Sequence, residues 1–256
     1  RVCEWEDFLL VFFVGGGVDS SLVVAMMQAQ STRPIQTYTI GFEVPGYDEA
    51  ESARAVARHL GTAHTELYVR PQEALSVIGD LPRIWDEPFA DSSQIPTLLL
   101  SQMTRRHVTV ALSGDGGDEL FYGYRRYARG QALQRQLARL PDSAGHWLAT
   151  LLAAVPAVAV DRTMQKLPAR LRYPALGDRL NKLGALLACS PGPGLYRGLV
   201  SVCQEPEALV RRAREPASLL SRPESWGERH DFRETMMYLD TLTYLPGDIL
   251  TKVDRA

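Results

Sequence analysis

An uninterrupted apolar run, Phe8 to Val14 (FLLVFFV), stops at three successive glycines, Gly15, Gly16 and Gly17. A segment that is apolar at every position has no face to offer water, so both its faces must be covered. That is the condition of a strand inside a parallel sheet. The glycines force a tight turn, and Ser20 to Gln30 (SSLVVAMMQAQ) then reads as a largely buried helix. A strand entering a helix through glycines confines the chain to few architectures, and the following residues narrow them.

Ile35 to Phe42 (IQTYTIGF) alternates and is rich in β-formers, so it reads as a second strand. Asp48 and Glu51 are spaced as a capping box that opens a helix to about Leu60, where Gly61 closes it. His64 to Val69 is a third strand, and Pro71 starts a helix running towards Trp85. After the loop DEPFADSSQIP a helix covers about Thr97 to Arg106, and Val108 to Leu112 is a fourth strand. Alternating strands and helices predict an α/β fold, a parallel sheet with helices on both faces. Residues 1–127 form this core, and 128–256 form a mostly helical extension that folds back onto it. Trp147 to Val160 reads as a buried helix broken at Pro156.

Bulk properties exclude several function classes. The net charge is -2 and no long basic run occurs, so nucleic acid and anionic membrane are not expected partners. No apolar run reaches the ~18 residues of a membrane span. The three cysteines, Cys3, Cys189 and Cys203, make no C-x-x-C pair, so neither a disulfide framework nor a zinc site is indicated. A reducing cytoplasm fits. The chain starts at Arg1 and stops at Ala256 without a helix-stop signal, and it reads as part of a longer protein.

Gly15-Gly16-Gly17-Val18-Asp19-Ser20-Ser21 is built for phosphate. Glycines let backbone approach a ligand, the helix start offers unpaired N–H groups, and Ser20 and Ser21 add hydroxyls. A lysine-containing phosphate loop and a dinucleotide G-x-G-x-x-G are both absent. Asp19 would repel phosphate unless Mg²⁺ bridged the two. Ser113-Gly114-Asp115-Gly116-Gly117-Asp118-Glu119 follows the fourth strand. Ligands of open parallel sheets bind beyond the carboxyl ends of strands, so both turns can face one pocket, with Asp19 and Asp118 sharing a Mg²⁺. Read without ligand, the first turn is a capped strand-to-helix corner and the second a solvated acidic turn.

The first turn resembles the pyrophosphate loop of the ATP pyrophosphatases, S-G-G-x-D-S, with Gly15 in place of the serine. LSGDGGDELFYGYRRY, DEPFADSSQIP and YLPGDILTKVDRA each resemble signatures of the asparagine synthetase family, in its order. The resemblance covers about residues 14–127 and 244–256, the synthetase domain of the glutamine-hydrolysing members. It implies a fold of the adenine nucleotide alpha hydrolase kind. It also implies a ligase that uses ATP and Mg²⁺ to form an acyl-adenylate from a carboxylate, after which ammonia displaces AMP.

Aspartate, giving asparagine, is the default substrate of that family. The resemblance places pyrophosphate on Gly15, Gly16, Gly17, Asp19, Ser20 and Ser21, and Mg²⁺ on Asp19 and Asp118. Val14 and Ile40 fall on the adenine side, and Ser113 and Gly114 against the nucleotide. Asp115 falls near the intermediate and the incoming ammonia, and Lys252 matches the lysine that stabilises charge on the phosphates. Asp86, Glu87 and Asp91 either line the pocket or cap the loop.

Cys3 stands too close to the first strand to be a glutaminase nucleophile and reads as a small apolar core residue. The glutaminase domain is therefore expected to lie outside this sequence, or ammonia to come from a partner or from solution. A homodimer is compatible with all of this. Two other readings remain open: an amidotransferase acting on a cell-surface polysaccharide sugar, and an inactive nucleotide-binding relative in which Gly15 marks lost phosphate affinity.

Overall fold

The computed structural model describes residues 10–13, 17–42, 48, 50–87, 89–139, 141–166, 168, 170, 173, 175–189, 192–201, 203, 206–212, 214–227 and 231–256. Val14, Gly15 and Gly16 lie outside the described residues, as does Cys3. The chain divides into two compact units, Arg1–Gly123 with Thr241–Ala256, and Tyr124–Asp240.

The first unit holds a four-stranded parallel sheet in the order β3-β2-β1-β4, with β1 Leu10–Phe13, β2 Gln36–Phe42, β3 Ala63–Val69 and β4 Val110–Leu112. Phe12 pairs with Thr37 on one side and with Leu112 on the other. The chain therefore leaves β1 towards β2 and β3, then returns across β1 to add β4. Neighbouring strands whose connections depart in opposite directions leave a crevice beyond their carboxyl ends, and here those strands are β1 and β4. The expected parallel sheet is present, within a helix-rich chain.

Between the strands run α1 Val18–Gln28, α2 Ala50–Leu60, α3 Pro71–Ser76, α4 Leu81–Trp85 and α5 Gln94–Thr104. The Asp48 carboxylate accepts the Ala50 amide at 3.1 Å to start α2, and Gly61, at φ +73°, ends it. Ala50, Ala53 and Ala57 form the buried stripe of α2, at helical spacing, while Arg58 is exposed and Arg54 pairs with Glu66 of β3. Tyr38 of β2 packs with Leu100 of α5 and with Val108, and Val24 of α1 packs with Ala53 of α2.

Three expectations are corrected. The helix expected from Pro71 to Trp85 is broken into α3, a 3₁₀ turn at Ile78–Asp80 and α4, because Gly79 and Pro82 interrupt it. Helix α1 is apolar over most of its length but buries only Ser20 and Val24; Val18 is 81% exposed, and Leu22 and Met26 are exposed one and two turns on. The expected helix Trp147 to Val160 does break at Pro156, into helices Asp142–Ala153 and Ala157–Gln165, yet it is not buried, since Trp147, Leu151 and Val158 are exposed.

Helix α6 (Gly117–Phe121) closes the continuous part of this unit. The regular elements described in the second unit are helices: α7 Arg125–Leu137, α8 Asp142–Ala153, α9 Ala157–Gln165, α10 Leu176–Ala188, α11 Pro193–Val200, α12 Pro206–Leu209 and α13 Phe232–Leu242, with 3₁₀ turns at Leu219–Ser221 and Pro223–Trp226. Its core is Tyr127, Leu195, Tyr196, Met236 and Leu239. At its centre the fully buried Asp240 accepts Tyr127 Oη at 2.6 Å, Tyr196 Oη at 2.7 Å and the Arg126 guanidinium at 2.6 Å.

The last residues return to the first unit as a π-helical turn, Leu245–Ile249, followed by α14 Leu250–Arg255. Pro246 and Gly247 inside the turn are poor α-formers, and Thr251 Oγ1 donates to the Pro246 carbonyl at 2.9 Å, five residues back.

Candidate active site

A cavity of about 410 Å³ opens beyond the β1 and β4 ends of the sheet. Its lining comes from both glycine-rich turns: Gly17, Asp19 and Ser20 from the first, Ser113, Gly114, Asp115 and Asp118 from the second. Ile40 of β2, Val253 of α14, and Pro96, Thr97 and Leu100 of α5 complete it.

The two turns interlock, and glycine makes this possible. A β-carbon on Gly114 would come within 2.8 Å of the Ser20 amide nitrogen, and one on Gly117 within 2.6 Å of the Asp19 carboxyl carbon. Backbone of the second turn thus lies directly against the first turn of α1, and the Asp19 side chain lies on Gly117. Gly123 serves Asp118 in the same way: a β-carbon there would collide with the Asp118 carboxylate, and the Gly123 amide donates to the Asp118 carbonyl at 3.0 Å. Both carboxylates are therefore confined by glycine backbone at the cavity.

Gly17 is the N-cap of α1, in extended conformation, and its carbonyl accepts Ser21 Oγ at 2.7 Å and Ser20 Oγ at 3.3 Å. Ser20 lines the cavity and is buried, whereas Ser21, one residue on, does not line it. Asp19, Asp115 and Asp118 bring three carboxylates to the lining, and no lysine or arginine is among the described lining residues. A polyanion such as a nucleoside triphosphate would need a counter-cation there. The wall formed by Ile40, Pro96 and Leu100 is apolar and suits the face of a planar ring.

Of the expected residues, the structure brings Gly17, Asp19, Ser20, Ile40, Ser113, Gly114, Asp115 and Asp118 to one cavity. Lys252 is not in the lining, although its neighbour Val253 is. Its ammonium is buried against the loop before α5, donating to Asp91 Oδ2 at 3.0 Å and Ser93 Oγ at 2.8 Å. Burial alone would push the Asp91 carboxyl up. The Ser93 hydroxyl and amide and the Lys252 ammonium together outweigh this and hold it below the ordinary carboxylate range.

Asp86 takes a left-handed conformation at the end of α4 and pairs with Arg255 at 2.6 Å, a loop-capping role, and Glu87 is exposed. His64 and His107 have structural places, the first bonded to Thr37 at 2.9 Å and the second stacked on Tyr38. Among the described residues no group of three or more His, Cys, Asp or Glu side chains has metal-site geometry, and no helix is long and apolar enough to cross a membrane.

Pro96, Thr97, Leu100 and Val253 were missed by sequence reasoning. The signal for Pro96 and Thr97 was their place in the first turn of the helix that DEPFADSSQIP opens.

Residues 6–256 match the protein-family profile described as Asparagine synthase. Asparagine synthetase [glutamine-hydrolyzing] 1 of Bacillus subtilis (strain 168) is 30% identical over 252 residues, covering 95% of this chain and 36% of that protein. Asparagine synthetase [glutamine-hydrolyzing] of Bos taurus is 27% identical over 223 residues, covering 82% of this chain and 37% of the relative. Asparagine synthetase B [glutamine-hydrolyzing] of Escherichia coli (strain K12) is 29% identical over 125 residues, covering 43% of this chain and 23% of the relative. The match thus spans between 23% and 37% of the length of these relatives.

Proposed function

This chain belongs to the asparagine synthase family, and on that premise we propose that it carries out ATP-dependent, AMP-forming amidation of a carboxylate, with aspartate as substrate and asparagine as product. The observation that carries the reading is the interlocking of two glycine-rich turns around one cavity at the strand-order reversal. The sheet is read as covered by helices on both faces. Thr37, Tyr38 and Thr39 of β2 are buried in succession, and successive strand residues point to opposite faces.

In this reading the first-turn amides of α1, with Gly17 and Ser20, receive the β- and γ-phosphates, Gly15, Gly16 and Ser21 belong to the same cradle, and Val14 goes with the adenine side. Ile40, Pro96 and Leu100 hold the adenine, while Ser113 and Gly114 lie along the nucleotide. The donor set fits Mg²⁺, which keeps most of its shell as water and phosphate and needs only one or two carboxylates. Asp19 and Asp118, both confined by glycine backbone, are those carboxylates. A bound Mg²⁺ supplies charge neutralisation for the departing pyrophosphate.

A carboxylate oxygen of the substrate attacks the α-phosphorus; the bond to the bridging oxygen breaks, and pyrophosphate leaves with the electron pair. Lys252 stabilises the negative charge that grows in this step. Ammonia then attacks the acyl carbon, AMP departs, and Asp115 accepts the proton that ammonia loses. The relatives' names describe hydrolysis of glutamine, and the ammonia used here is assigned to that source.

ATP–pyrophosphate exchange with a panel of carboxylates tests the assignment. Exchange should need Mg²⁺ and one carboxylate, aspartate first, and should yield AMP. Formation of ADP, or exchange indifferent to the carboxylate, would overturn it.

A further inference from the structure

A lysine helps a departing phosphate only if its ammonium stays in place, and its four-carbon stem gives it ample freedom to leave. Two acceptors hold it here, Asp91 Oδ2 at 3.0 Å and Ser93 Oγ at 2.8 Å. An ammonium has three donors. The third has no acceptor among the described residues, although Lys252 is only 6% exposed. A buried N–H left open is costly unless something else takes it.

The holder is itself held. Asp91 Oδ1 accepts the Ser93 amide at 2.8 Å, and Oδ2 accepts the Ser93 hydroxyl at 2.7 Å. The Asp91 carbonyl takes the Gln94 amide at 3.1 Å, and the Ser93 carbonyl takes the Thr97 amide at 3.0 Å and its hydroxyl at 2.9 Å. These bonds form the first turn of α5, which carries Pro96, Thr97 and Leu100 into the cavity wall. At the other end of the pair, Val253 lines the same cavity. Asp91 thus shapes the wall helix and fixes the lysine at once, without itself lining the cavity.

We propose that Asp91, assisted by Ser93, is a positioning residue: it holds the ammonium of Lys252, whose chain neighbour Val253 lines the cavity, with one N–H left for a phosphate oxygen, and never touches substrate. The proposal rests on the adenylating reading above and deepens it. Phosphate arrival then adds a third partner to an ammonium already in place, so the benefit falls on the chemical step rather than on ATP binding.

The test uses Asp91→Asn, Asp91→Ala and Ser93→Ala in the purified protein, with two readouts. In exchange kinetics, Asp91→Asn should lower the rate at saturating ATP by about tenfold to a hundredfold while the KM for ATP stays within about threefold. Ser93→Ala, which keeps the carboxylate, should fall between Asp91→Asn and the parent. The second readout is labelling of Lys252 by an amine-reactive ester, measured by peptide mass spectrometry without substrates. It should be slow in the parent and several-fold faster in Asp91→Ala, by the loss of the Asp91–Lys252 bond and of the bonds by which Asp91 holds Ser93. Exchange in Asp91→Asn within about twofold of the parent, or a loss residing wholly in KM, overturns the proposal. So does unchanged labelling of Lys252 in Asp91→Ala. If the parent shows no exchange with any carboxylate, the adenylating reading fails, and the labelling alone still decides whether Asp91 holds the lysine.

Discussion

Asp240 in the helical unit and Asp91 in the sheet unit are both carboxylates paired to a cation, and they differ in what surrounds them. Asp240 has no exposed surface and receives two tyrosine hydroxyls and a guanidinium, and Arg126 is stacked over Tyr124 at 4.0 Å. Every direction from that carboxylate ends in protein. Asp91 keeps some solvent contact and meets a lysine that has a donor to spare. A saturated buried network specifies packing, whereas one with capacity left beside a cavity can serve chemistry.

The sharpest way to break the comparison is to remove one carboxylate or cation from each pair. Asp240→Ala removes the shared acceptor of the Arg126 guanidinium and of the Tyr127 and Tyr196 hydroxyls, and should cost about 3–5 kcal/mol in urea denaturation. Lys252→Ala should leave the denaturation midpoint much less changed, but lower exchange by about a hundredfold to a thousandfold. If Lys252→Ala destabilises as much as Asp240→Ala and spares exchange, the two pairs are of one kind and the contrast is lost.

Gly117→Ala sharpens the site half of the comparison. Its β-carbon would lie 2.6 Å from the Asp19 carboxyl carbon, so Asp19 must swing away. The Mg²⁺ concentration for half-maximal exchange should rise by about tenfold, readable in a metal titration. The smallest effect concerns pH. Burial pushes the His64 imidazole below its ordinary value, against the pull of Glu66. Its folded-state value is thus lower than its unfolded one, so its contribution is complete above about pH 6.5 and is lost as pH falls through the folded value. Stability measured from pH 7.5 down to 5 should decline by a fraction of a proton's worth of slope, and His64→Gln should flatten that part of the curve.

Much of the site was legible because its chemistry is local. Each glycine-rich turn carries its carboxylate within a few residues of the glycines that confine it, and each follows a strand of one parallel sheet. The apolar wall was not legible, since Leu100 and Val253 look like any core residue until a cavity is seen beside them. Nor was the Asp240 network, whose partners Tyr127 and Tyr196 lie 113 and 44 positions away in the chain. Apolar content misled for α1 and α8, because it states what a helix can bury and not whether a neighbour is there to cover it. Lys252 was singled out by its motif, but its ion pair with Asp91 needed the distance between residues 161 positions apart.

The π-helical turn at Leu245–Ile249 bears on all of this through arithmetic rather than affinity. Such a turn is a helix carrying one surplus residue. Removing that residue would restore ordinary winding, rotate everything beyond it by about 100° and draw it back by about 1.5 Å. Lys252 would then face away from Asp91 with its own identity intact. Length in this stretch is as strictly constrained as chemistry, and a single-codon deletion there would be as damaging as replacing the lysine.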